Sequence, residues 1–189
     1  TGTTEPREAT LRLALSLGRE AAELAAESPP VPADPPRPAV CRKQPVLALG
    51  VITAPGNTLR RTFIRRIEPA LMRERPCEVR VTFLLGLRRF FTAEQNSALD
   101  REQAAHRDLL YLPAHDGLAT AVSHGGRAVA EKALAWWIYA ANHTVAPFIA
   151  KVDDDSMPHL PRLVDDLRVL QATPRADASM AYYGVLVYR

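Results

Sequence analysis

The chain has 189 residues, 47% hydrophobic and 24% charged, with a formal net charge of +3, which suits one soluble globular domain with room for an extra arm. No apolar run approaches the ~18 residues that cross a bilayer, and no charged-then-apolar leader opens the chain. Aromatic residues make up 6% and none interleaves with the basic segments, so no base-stacking platform is indicated and no nucleic-acid partner is expected. Lysine occurs only at Lys43, Lys132 and Lys151, leaving the basic side to arginine. That residue suits bidentate contact with phosphate or carboxylate, although coding bias gives the same skew. Two cysteines, Cys41 and Cys77, allow one disulfide or two free thiols and have no metal-binding spacing. The chain starts at Thr1 without a methionine, as a fragment or a processed product would.

Residues 10–27 carry Leu13, Leu17, Ala21 and Leu24 near a period of 3.6, which predicts an amphipathic helix over a segment 1–27. Its narrow stripe suits docking on the main domain, pairing in a homo-oligomer, or standing in a stalk. A proline-rich linker, 28–41, follows and favours extended structure. The globular part is then expected over 42–189.

From Pro45 onward strand and helix signals alternate. Strands are expected at 46–52, 79–85, 108–112, 148–152 and 181–187, and helices at 58–73, 92–107, 125–141 and 160–171. The third helix is expected to begin at a Gly125-Gly126 turn and to bury Val129, Ala133 and Trp136, with Trp137 at the margin. This alternation predicts an α/β fold, a mainly parallel sheet with helices on both faces. Ligands of such sheets bind beyond the carboxyl ends of the strands, where strand order reverses. The turn 53–57, Gly86 and the triplet Asp153-Asp154-Asp155 all fall at such ends.

The triplet is the sharpest chemical signal. Adjacent carboxylates repel unless a cation or donors sit among them, and hard oxygens suit Mg²⁺ or Mn²⁺. The structural alternative is that Asp155 or its neighbour caps a helix beginning near Pro158. Arg60, Arg61, Arg65 and Arg66 open the first helix. Arg61 and Arg65 share one face, which reads either as a diphosphate site or as a solvated basic surface. Lys132 and Lys151 lie in apolar surroundings and need carboxylate partners, Asp116, Glu102 and the triplet being candidates for Lys151. The five histidines lack metal-ligand spacing, and His159 reads as a first-turn helix residue. Asn142-His143-Thr144 is a glycosylation sequon, relevant only in a secretory compartment.

The order of these pieces resembles the β-1,3-galactosyltransferase family, which includes β-1,3-N-acetylglucosaminyltransferases. Arg61-Thr62-Phe63-Ile64-Arg65 is similar to its Arg-x-x-Ile-Arg signature, and Phe83-Leu84-Leu85-Gly86 to its second strand. Glu102, Asp108-Leu109-Leu110, Asp116, Lys132 and Trp136 follow in the family's order. The stretch 148–155 resembles the strand leading into its DxD element, and Tyr182-Tyr183-Gly184 its later Tyr-x-Gly strand.

The resemblance covers about residues 45–187 and implies a GT-A type fold, a UDP-sugar donor, Mn²⁺ or Mg²⁺, and inverting transfer of galactose or N-acetylglucosamine to a glycan or glycoprotein hydroxyl. It assigns the metal to Asp155 and Asp153, and nucleotide-sugar binding to Thr53, Arg61, Arg65, Asp153 and Asp154. It also implies the lumenal side of the Golgi membrane, through an anchor absent from this chain. Two departures stand out: Ile67-Glu68 replaces the family's Thr-Trp, and His159 replaces an Asn. The family's acceptor half and catalytic base come after position 189, so no base is assigned here. The expectation is a truncated donor-binding part of the domain, with an inactive GT-A-like scaffold as the alternative.

Overall fold

A computed structural model describes residues 41, 44–116 and 118–173. The expected N-terminal helix, most of the linker and the strand at 181–187 lie outside the described residues.

Four strands, β1 (Leu47–Ile52), β2 (Val79–Leu85), β3 (Leu109–Tyr111) and β4 (Phe148–Asp153), pair in parallel in the order β3-β2-β1-β4. Helices α1 (Thr58–Leu71), α2 (Ala93–His106), α3 (Leu118–His143) and α4 (Leu160–Ala172) alternate with them. The fold is therefore α/β and Rossmann-like. Strand pleat divides the core into two faces. Leu47, Leu49, Val51, Phe83 and Leu85 pack with Ile64 of α1, Leu99 of α2 and Val164 and Leu167 of α4. Ala48, Ile52, Leu84 and Leu110 pack with Trp136, Tyr139 and Ala140 of α3.

Two glycines make room for this packing. A Cβ on Gly50 would lie 2.6 Å from the Trp136 ring, whose Nε1 donates to Ala150 O at 2.9 Å. A Cβ on Gly86 would lie 2.5 Å from Cβ of Asp116. α2 is a polar helix held by its ends. Thr92 and Gln95 form a reciprocal capping box, and Arg107 closes the helix in a left-handed conformation.

Two expectations are corrected here, and one left open, the state of the two cysteines, is decided. α3 begins at Leu118, so Gly125-Gly126 lies within the helix rather than starting it; glycine costs only ~1 kcal/mol in a helix interior and does not stop one. Val129 and Trp137 face outward, at 38% and 41% exposure, while Trp136 carries the burial. Cys41 and Cys77 form a disulfide, which ties residue 41 to the loop before β2.

Candidate functional site

β1 pairs with β2 on one side and β4 on the other, so strand order reverses between β1 and β4. Their carboxyl ends are in register, Ile52 opposite Asp153, and Asp154 N donates to Ile52 O at 3.0 Å. The loop after β1 and the acidic triplet thus form the two walls of the switch-point crevice, the usual ligand position in such sheets.

The three carboxylates are not equivalent. Asp154 has a side chain 6% exposed and accepts hydrogen bonds from Thr53 Oγ1 at 2.6 Å, Asn57 Nδ2 at 2.7 Å and Arg60 Nη1 at 2.7 Å. Burial alone would raise its pKa, but the bonds from Thr53, Arg60 and Asn57 outweigh it and hold the carboxyl below its ordinary value. Pleat parity explains the choice: Asp154 continues the Phe148, Ala150, Val152 face, which packs against the α1 side. Asp153 is 50% exposed, with Lys151 Nζ at 3.5 Å. Asp155 is 63% exposed and lies 3.7 Å from Arg60 Nη1.

The helix-cap alternative for the triplet is overturned. α4 starts at Leu160, and its cap is His159, whose Nδ1 accepts from Arg162 N at 3.3 Å. Lys151 reaches Asp153, not Asp116 or Glu102, because those acids are already engaged by Lys132 and the arginines.

The arginine face is neither solvated nor open. Arg61 has a fully buried side chain. It donates from Nε and Nη2 to Glu102 at 2.8 Å, from Nη1 to Ala54 O at 2.6 Å and from Nη2 to Pro55 O at 3.2 Å. Arg65 bridges Glu102 and Asp108, each at 2.7 Å, and lies over the Phe83 ring. Burial pushes the Glu102 pKa up, but the bonds from Arg61 and Arg65 prevail and lower it.

Lys132 supports the same loop from the other face of the sheet. Its Nζ donates to Thr53 O at 2.8 Å and to Asp116 Oδ2 at 3.0 Å, and that oxygen also accepts from Gly86 N at 2.9 Å. Arg61 and Lys132 therefore hold the loop that Thr53 opens, while Arg65 ties α1 to Glu102 and Asp108.

The charged groups left half or more exposed at these strand ends are Asp153, Asp155 and Arg60. Sequence reasoning did not single out Asn57 or Arg60 as partners of the triplet; the position of Arg60 at the amino end of α1 was the available signal. Beside Asp155 a groove of about 340 Å³ runs over Phe63, Ile64 and Met157. Two exposed carboxylates suit a hard cation that keeps waters or takes phosphate oxygens for its other ligands. No group of three or more His, Cys, Asp or Glu residues is arranged to hold a metal among the described residues.

The mouse (Mus musculus) protein beta-1,3-galactosyltransferase 6 is 33% identical to this chain over 135 residues, 71% of the chain. The chain is similar to a galactosyltransferase. It spans only 39% of that relative's length. No family model matches the chain.

Proposed function

We propose that this chain is the donor-binding part of a β-1,3-galactosyltransferase-type enzyme with a GT-A type fold. It would work in the Golgi lumen, transferring galactose or N-acetylglucosamine from a UDP-sugar to a glycan or glycoprotein hydroxyl with inversion. The observation that carries this reading is the pair of exposed carboxylates at the switch point, Asp153 beside Lys151 and Asp155 beside Arg60. The similarity to the mouse galactosyltransferase supports the same reaction class.

In this reading Asp155 and Asp153 are the residues that would hold Mn²⁺ or Mg²⁺. When bound, the cation supplies charge neutralisation for the departing diphosphate. Arg60, paired with Asp154 and 3.7 Å from Asp155, would add a positive charge for a phosphate oxygen. Asp154 clamps the loop after β1 to the loop after β4 through Thr53, Asn57 and Arg60, so both crevice walls are preformed and less ordering is needed on binding. Arg61, anchored by Glu102, holds the carbonyls of Ala54 and Pro55 in place.

Thermal unfolding tests the proposal. UDP with Mn²⁺ raises Tm, by linkage, where UDP alone or Mn²⁺ alone does not, and Asp155→Ala removes the rise. An unchanged Tm with both ligands present would overturn it.

A further inference from the structure

Asn142-His143-Thr144 is the only Asn-x-Ser/Thr triplet in the chain, since Asn57 and Asn96 have Leu59 and Ala98 two positions on. Asn142 is exposed in the last turn of α3. Its Nδ2 donates to Ile138 O at 2.8 Å, a bond that uses one of the two amide protons. Just beyond, Thr144 N donates to Ala140 O and Thr144 Oγ1 accepts from Ala146 N at 3.2 Å, where the chain leaves the helix. An independent feature fixes the compartment in which such a triplet matters. Cys41 and Cys77 are bridged, and structural disulfides persist in oxidising, secretory surroundings.

We propose that Asn142 is an N-glycosylation site, modified by an oligosaccharide carried on a lipid diphosphate. The Nδ2–C1 bond to the reducing sugar forms as the C1–O bond to the lipid diphosphate breaks. The diphosphate leaves with the bonding electrons, and the one proton that Nδ2 gives up passes to solvent. The second proton remains for the bond to Ile138 O.

The position tolerates a large adduct. Residues 144–147 lead into the start of β4, so Asn142 is at the amino edge of the sheet, opposite the edge carrying Thr53 and the triplet. The glycan stands beside Leu134, Trp137 and Ile138, which are 53%, 41% and 57% exposed, an apolar stripe that a hydrated adduct shields from association. This inference does not depend on the donor-site proposal.

The test expresses the chain behind a secretory leader in cultured animal cells, checks the bridge by non-reducing peptide mapping, and digests with peptide-N-glycosidase. The bridged wild type loses a glycan and reads Asp at position 142 afterwards. Asn142→Gln and Thr144→Ala show no mass change on digestion, while Thr144→Ser keeps the modification. A bridged wild type of unchanged mass, a shift that persists in Asn142→Gln, or a secreted chain with both thiols free would overturn the proposal.

Discussion

The arginine face of α1 and the acidic triplet after β4 look alike in sequence, each a run of like charges at the mouth of the sheet. They are opposite in structure. Every donor group of Arg61 is used within the fold, and its partner Glu102 is nearly buried. Of the triplet, only Asp154 is used in this way, and Asp153 and Asp155 remain half or more exposed. A charge run marks a functional site only after its internal partners have been subtracted.

The largest effect is expected at the closed end. Arg61→Ala leaves Glu102 with one cation in a buried site, and breaking such a pair costs about 3–5 kcal/mol in denaturant unfolding. Replacing both partners, as Arg61→Met with Glu102→Leu, recovers only part of that loss, because the Ala54 and Pro55 carbonyls still lose their donor. Lys132→Met strips Asp116 of its cation and Thr53 O of a donor, with a loss of similar order. A drop within ~0.5 kcal/mol for either single variant would place these pairs on the surface and break the contrast.

Asp154→Asn comes next, at about 1.5–3 kcal/mol, the value of hydrogen bonds to a charged group. It also has a pH signature. The folded-state pKa values of Asp154 and Glu102 lie below their ordinary values, so the stability they contribute is complete above the ordinary carboxylate range. It is lost as pH falls through the depressed folded values. Denaturation midpoints are therefore expected to fall on acidification, less steeply in Asp154→Asn. Asp155→Ala and Asp153→Ala are expected to change stability by no more than ~0.5 kcal/mol.

Most of the sheet was legible because its strands are short apolar runs bounded by turn residues. The strand at Val79–Leu85 agrees with its expected bounds, and Thr92 and Arg107 flank α2 as its caps. The start of α3 was not legible, since local glycine chemistry was outweighed by the helix that continues through it. The burial of Arg61 was hidden for a different reason: its partner lies 41 residues away, on a helix whose polar composition gives no hint that Glu102 faces inward beside Leu99. The division of the triplet was within reach. Counting alternate positions from Phe148 places Asp154 on the α1 face and Asp153 with Lys151 on the other. The residues that carry the family resemblance, Arg61 with Glu102, Arg65 with Asp108 and Lys132 with Asp116, turn out to be each other's partners. Their shared order thus reflects a scaffold of paired charges behind the loop.

One acid of the triplet holds the fold while its neighbours stay exposed at the switch point, where the proposed cation and UDP would bind. The most direct measurement is Mn²⁺ binding in the presence of UDP, followed by electron paramagnetic resonance, on Asp155→Asn alongside its denaturation midpoint. The midpoint is expected to stay unchanged while UDP-dependent Mn²⁺ binding is lost. A variant that still binds Mn²⁺ with UDP as the wild type does, or that unfolds as readily as Asp154→Asn, would contradict it.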